Sequence, residues 1–117
     1  MRDIHLDRNA DPLFGWTEET TREYIESRPL AKGDRMLIVN RQAGLLEYEL
    51  ATVENPALGR QRRVLLDKPA QYGGATFYRN GKNCFSPKGQ SRMIPPVDQV
   101  VQAIEAAAGR SVFARRV

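Results

Sequence analysis

Short apolar runs separated by turn-forming residues are the feature that most limits how this chain can fold. The runs at residues 35–40, 45–53, 62–66 and 75–79 are bounded by Gly, Pro or Asn. The first run is apolar on both faces in its middle, which predicts a central strand, whereas residues 45–53 alternate between apolar and polar, as half-buried antiparallel strands do. The pattern therefore predicts a sheet of short antiparallel strands.

The pair Asn80-Gly81 lies between strand-like runs at residues 75–79 and 82–85. Both residue types tolerate the positive φ of a type I′ turn, so the pair predicts a two-residue hairpin. In that register Arg79 and Lys82 lie directly opposite each other on one face. Like charges in that position repel, and a bound phosphate would relieve the repulsion.

One helix is predicted on each side of the strands. Thr17 is a suitable N-cap for a helix over residues 18–27, which Pro29 ends. An apolar stripe predicts a second helix over residues 97–108, capped by Gly109. The predicted fold class is α+β: a small antiparallel β-barrel or curled sheet of about five strands, with an N-terminal and a C-terminal helix.

The length of 117 residues predicts a single domain over residues 1–117. Its predicted parts are an N-terminal arm (1–15), a helix (16–28), a β-barrel core (32–94), a second helix (96–109) and a basic tail (110–117).

A turn at Gly33-Asp34, an apolar strand, a glycine turn at Gly44 and a second strand ending at Val53 follow one another in order. This succession resembles the opening of Src-homology-3-like small β-barrels of the KOW type, over residues 32–66. The resemblance implies a fold, and barrels of this type often bind RNA, DNA or protein segments.

Composition argues against several other classes of protein. The chain has no apolar run of 18 or more residues and no apolar segment near its start, so we expect no membrane span, no secretory signal and a cytoplasmic location. The single cysteine, Cys84, permits neither an internal disulfide nor a cysteine-based zinc site, and is interpreted as a small buried hydrophobe. Glu47 and Glu49 are interpreted as a solvated strand face. We predict no metal, no cofactor and no enzymatic activity; the enzyme alternative is a small ribonuclease.

Charge is concentrated in the middle of the chain. Between Arg60 and Arg92 there are eight basic residues and one acidic residue, Asp67, which gives this segment a charge of +7. Such a block can define a face for an anionic partner, although a solvated basic rim on an ordinary globular protein is the slightly favoured account.

Two further features adjoin this block. If Phe77 and Cys84 enter the core in the predicted hairpin register, Tyr78 and Phe85 face outward. The second helix is expected to cover that aromatic face, and the alternative is a stacking platform for bases. The loop at residues 86–92 is small, polar and basic, and suits phosphate contacts.

The predicted function is therefore a nucleic-acid-binding module that contacts RNA or single-stranded DNA through a basic face. Its candidate phosphate-contacting residues are Arg60, Arg62, Arg79, Lys82, Lys88 and Arg92, and its candidate stacking residues are Tyr78 and Phe85. The alternative is a protein-interaction or assembly module, such as an accessory protein of a mobile element, in which the stripe of the second helix or an edge strand forms a homo-oligomer or docks a partner.

Overall fold

The computed structural model describes residues 3–42, 44–67, 75–85 and 91–116. These residues form seven strands and two helices. In chain order they are β1 (Ile4–Leu6), α1 (Glu18–Ser27), β2 (Arg35–Gln42), β3 (Leu45–Leu58), β4 (Arg63–Leu66), β5 (Thr76–Phe77), β6 (Ser91–Ile94), α2 (Asp98–Ala106) and β7 (Val112–Arg116). Neither helix has the length and apolar character needed to cross a membrane, in the part of the chain that the structure describes.

The strands form one open, mixed sheet in the order β1-β7-β3-β2-β6. β4 pairs with the second half of β3, and β5 pairs with β4. β1 and β7 run parallel, and the other ladders are antiparallel. The predicted α+β fold, a small antiparallel barrel or curled sheet of about five strands, is therefore wrong. The molecule is mostly β, with two short helices.

The two strands that the sequence analysis missed come from the segments assigned to the arm and the basic tail. Ile4 pairs with Ala114 and Leu6 with Arg116 in a three-residue parallel ladder. Because β1 precedes α1 and β7 follows α2, the helices do not frame the strands as predicted. Three residues are too few to show a strand period, and the partner of β1 lies at the other end of the chain.

β2 is a central strand, as its apolar pattern predicts, and it divides the core into two faces. Met36 and Ile38 point to one face, which we call the α1 face because Ile25 of α1 packs there. Leu37 and Val39 point to the opposite face, called the α2 face. The other buried members of the α1 face are Ala51, Val53, Val64, Leu66, Ala75, Phe77 and Met93. The other buried members of the α2 face are Ile4, Leu6, Leu46, Tyr48, Ile94, Val100, Ile104 and Val112.

β3 is longer than predicted and continues through Asn55 and Pro56, where the sequence predicts a loop. Its register against β4 shifts at two places, between Val53 and Asn55 and between Asn55 and Leu58. The Asn55 side chain accepts a hydrogen bond from the Ala57 backbone N–H at 3.0 Å, which supports the irregular backbone. The bulges let one strand contribute to both halves of the sheet.

The two helices match their predicted places but are held differently. α1 begins after Thr17, whose hydroxyl accepts a bond from the Thr20 N–H at 3.1 Å, while the Thr20 hydroxyl accepts from the Thr17 N–H at 2.8 Å. α2 begins after Val97, which provides no side-chain cap. It instead buries Val100, Val101 and Ile104.

The hairpin at Asn80-Gly81 has a different register from the predicted one. The Tyr78 N–H donates to the Lys82 carbonyl at 2.8 Å and the Gly81 N–H donates to the Tyr78 carbonyl at 2.9 Å. Gly81 has a φ of 91°, and Asn80 does not take up the positive φ of a type I′ turn. The loop therefore contains three residues, with Gly81 in the left-handed position of a bulge.

One additional loop residue turns every side chain of the return strand to the other face. Phe77 now lies opposite Asn83, and Asn83 is buried at 2% exposure, whereas Cys84 is half-buried. The expectation that Cys84 shares the buried face of Phe77 is therefore wrong, as is the direct opposition of Arg79 and Lys82.

Candidate nucleic-acid interface

Three arginines lie in or beside the loop between β3 and β4, and Arg79 contacts this loop from the hairpin. We call them the arginine turn: Arg60, Arg62, Arg63 and Arg79. Arg60 and Arg62 are exposed in the loop itself, while Arg63 and Arg79 are half-buried. Arg62 has a φ of 52°, so the backbone adopts a left-handed conformation in the middle of the turn.

Arg79 reaches this turn from the hairpin and binds its backbone. Its Nη1 donates to the carbonyl of Pro56 at 3.2 Å and to the carbonyl of Arg62 at 3.1 Å. Burial is the main cause that lowers the pKa of Arg79, the nearby Arg62 charge lowers it further, and Glu26 opposes the shift. An arginine remains protonated under all ordinary conditions, so the turn carries crowded positive charge.

The sequence analysis grouped Lys82 with the phosphate contacts, but the structure gives it another neighbour. Its Nζ lies 3.6 Å from the Glu18 carboxylate at the first turn of α1. The Asn80 amide donates to the same carboxylate at 3.2 Å. Lys82 thus pairs with a carboxylate at the start of α1 and lies outside the arginine turn.

Arg92 is also separated from the arginine turn. It lines a pocket of about 370 Å³ together with Arg41 of β2. Its backbone pairs with Val39, which places it on the α2 face of the sheet. Lys88 lies outside the described residues, as does most of the loop at residues 86–92, and the phosphate contacts of that loop stay a prediction.

The two aromatic candidates differ in exposure. Phe85 is 65% exposed, while Tyr78 is half-buried beside Lys82. α2 packs against β3 and β7 and not against the hairpin. The expectation that α2 covers an aromatic face of the hairpin is therefore wrong, and the apolar stripe of α2 is itself buried.

Of the eight predicted site residues, Arg79 contacts Arg62 in the loop that also contains Arg60, whereas Lys82 lies opposite Arg92 across an isolated bridge away from that loop. Sequence reasoning missed Arg63 and Arg41 as members of basic clusters. Adjacent residues on a strand are expected to point to opposite faces, which would separate Arg63 from Arg62. Arg41 lies outside the basic block, and no local pattern connects it to Arg92.

Comparison of this chain with protein-family models, with curated proteins and with solved structures gives no match. The resemblance of residues 32–66 to KOW-type barrels therefore stays a prediction.

Proposed function

We propose that this protein binds single-stranded nucleic acid, RNA or DNA, through the arginine turn. The observation that carries the proposal is the contact of Arg79 with the Arg62 backbone, close enough for the Arg62 charge to act on Arg79, which places two positive charges at one turn. Among the described residues no salt bridge joins any of the four arginines to a carboxylate. A polyanion is the partner that relieves such crowding, because each phosphate neutralises an arginine and releases condensed counterions.

The arginines have distinct roles in this proposal. Arg79 uses Nη1 to hold two backbone carbonyls, so it positions the turn and contributes its charge. Arg60 and Arg62 are exposed and supply the direct phosphate contacts. Phosphate contacts of this kind give affinity without selecting a base sequence.

Phe85 is the stacking residue of the proposed interface. An exposed phenyl ring offers a flat apolar surface on which any base can stack, which favours single strands over duplexes. Phe85 lies on the return segment of the hairpin whose loop contains Arg79, at the end away from that loop, so a bound single strand would have to extend along the hairpin to reach both. We propose that this activity resides in the cytoplasm, where the single thiol of Cys84 stays reduced.

The proposal is tested by the salt dependence of binding. Fluorescence anisotropy with labelled RNA and DNA single strands of about 20 nucleotides gives log K against log salt concentration. The double variant Arg60→Gln/Arg62→Asn should weaken binding and flatten the slope by about 1.4, since each lost contact to a single strand removes about 0.7. Asparagine is chosen at position 62 because it tolerates the positive φ.

A matched control separates a local site from the net charge of the protein. The double variant Arg22→Gln/Arg110→Gln also removes two positive charges, but from exposed positions on α1 and after α2. It should retain the slope of the parent protein. Equal flattening in both double variants would reduce the proposal to nonspecific attraction, and absence of binding by the parent protein would refute it.

The role of Phe85 has its own matched pair. Phe85 and Leu45 are the two exposed large hydrophobic residues among those described, at 65% and 57% exposure. Phe85→Ala should weaken single-strand binding by about 1–3 kcal/mol, the range found for stacked bases, and Leu45→Ala should not change it. If the two variants behave alike, stacking on Phe85 is not part of the interface.

A further inference from the structure

A second group of basic side chains lies away from the arginine turn, in the pocket on the α2 face. Two arginines, one aspartate, one proline and three aliphatic residues line this pocket, which has a volume of about 370 Å³. The lining residues are Asp11, Pro12, Leu13, Val39, Arg41, Leu46 and Arg92. Its volume falls in the range of small-molecule sites, and none of the four residues of the arginine turn takes part in it.

Strand pairing places the two arginines on one side of the sheet. Arg92 of β6 lies opposite Val39, and Arg41 follows Val39 by two positions in β2 and therefore points to the same face. Leu46 of β3 lies opposite Arg41. The sheet thus places the guanidinium groups of two arginines beside the apolar side chains of Val39 and Leu46.

Residues 11–13, which precede α1, form the rim of the pocket. The Tyr48 hydroxyl donates to the Pro12 carbonyl at 2.7 Å and fixes the segment to β3. The Asp11 carboxylate accepts bonds from the Leu13 N–H and the Gly15 N–H, both at 2.9 Å. Both oxygens of Asp11 take part in holding a turn, and among the described residues no salt bridge joins Asp11 to Arg41 or Arg92.

The arginines are consequently available to a ligand. The Nε of Arg92 is buried and has no hydrogen-bond partner among the described residues. Buried donors without a partner are uncommon in folded proteins, and an unfilled binding site is one physical reason for them. A guanidinium group matches the geometry of carboxylate and phosphate oxygens.

We propose that this pocket binds a small organic oxyanion, a carboxylate or a phosphate monoester that carries an apolar body. The oxyanion lies between Arg41 and Arg92, and the apolar body rests on Val39, Leu46 and Leu13. This activity goes beyond the proposed nucleic-acid binding, and it depends on different residues.

The test is an NMR titration of the ¹⁵N-labelled full chain with phenyl phosphate and with benzoate. Benzyl alcohol, which lacks the charge, and inorganic phosphate, which lacks the ring, are the matched control ligands. We expect saturable shifts of the amide signals of Val39, Arg41 and Leu46 with at least one of the two aromatic anions, and weaker binding of both controls. The tighter of the two anions identifies the preferred head group.

Substitutions test whether the arginines are responsible. Arg41→Gln and Arg92→Gln should each weaken binding about tenfold, as expected for loss of one charge-assisted hydrogen bond. Arg110→Gln, which does not line the pocket, should leave it unchanged.

Arg41 is exposed, so its variant should fold even if the half-buried Arg92 proves necessary for folding; dispersed amide spectra check this for each variant. The proposal is overturned if neither aromatic anion binds, if benzyl alcohol or inorganic phosphate binds as tightly as they do, or if Arg41→Gln has no effect. None of these results bears on the arginine turn, since its residues lie outside the pocket.

Discussion

The two faces of β2 are equally apolar, but they are covered in different ways. On the α2 face, α2 has no side-chain cap and buries Val100, Val101 and Ile104. On the α1 face, α1 buries only Thr21 and Ile25 and is held by a reciprocal cap. The backbone of Gly81 in the hairpin is also hydrogen-bonded to Met93 of the α1 face. Both faces bury apolar side chains, but α2 is held by burial alone, whereas α1 buries less and is also held by hydrogen bonds at its first turn.

The largest expected effect lies at Gly81 on the α1 face. A Cβ at this position would lie 2.3 Å from the Met93 carbonyl oxygen, and the φ of 91° is strained for any other residue. The Gly81 carbonyl also accepts a hydrogen bond from the Met93 N–H at 2.8 Å, so the two backbones cannot move apart without breaking this bond. Gly81→Ala should lower the free energy of unfolding by about 4 kcal/mol or more, measured by urea denaturation.

Gly109 provides the matched control for this prediction. Its φ of 82° is similar, but a Cβ there would meet nothing within 4 Å. Gly109→Ala should therefore cost only the conformational strain, about 1–2 kcal/mol. Equal losses at the two glycines would show that strain alone, and not the approach of β6, makes Gly81 necessary.

The next largest effect is expected at Ile104 on the α2 face. This side chain is fully buried, and α2 lacks a cap that could compensate for lost packing. Ile104→Ala should reduce the free energy of unfolding by about 3 kcal/mol, and Ile104→Val by about 1 kcal/mol. Chemical denaturation of both variants measures this difference. A loss below about 1 kcal/mol for the alanine variant would contradict the view that burial holds α2 in place.

A smaller effect is expected from the cap of α1. Thr17→Ala removes the hydroxyl that takes part in the reciprocal cap and should cost about 1 kcal/mol. Thr17→Asp retains an acceptor and should preserve stability, since a carboxylate also suits the helix N-terminus. Loss of helical circular dichroism at lower urea concentration in the alanine variant alone would confirm the role of the cap.

The smallest effect concerns the ion pair beside the terminal strands. Arg115 Nε donates to Asp3 Oδ2 at 2.6 Å, and this hydrogen bond holds the pKa of Asp3 below its ordinary value. Because the pKa of Asp3 is lower in the folded than in the unfolded state, the ion pair stabilises the fold at pH values above the unfolded-state pKa. This stabilisation is lost as the pH falls through the pKa of the folded state. Asp3→Asn should lower the urea midpoint slightly near neutral pH and not at all in strong acid.

The charge of Arg115 offers a check on this interpretation. Arg115→Gln should show the same dependence on pH as Asp3→Asn, because either substitution removes the same pair. A loss of stability that is equal at all pH values would indicate that packing, and not charge, is responsible.

Local patterns predicted a substantial part of the fold. The two-sided apolar run of β2 predicted a central strand, Thr17 predicted a helix start, and the stripe around Val100 and Ile104 predicted α2. Each of these signals lies within about ten residues of sequence, where periodicity and capping act directly.

Features that depend on distant partners were not predictable in this way. β1 becomes a strand only because β7 lies beside it, and its three residues carry no pattern of their own. Gly81 suits both a two-residue and a three-residue loop, so the Asn-Gly signal located the hairpin correctly but gave the wrong register.

The candidate site shows the same limit. Arg62 and Arg79 were both predicted from the charge block, but their contact depends on the pairing of β4 with β5. Lys82 is equally basic in sequence, and Glu18, 64 positions before it, changes its surroundings. Net charge can therefore suggest a partner, while the pairing of strands decides which cations face that partner.

The parallel pair formed by β1 and β7 has a consequence for the order of folding. Ile4 and Ala114 are 110 positions apart (114 − 4), so their contact closes nearly the whole chain into a loop. Closing such a loop carries a large entropic penalty, while only three residue pairs offset it. We expect this ladder to form last during folding and to exchange its amide hydrogens first in the native protein, well before those of β2.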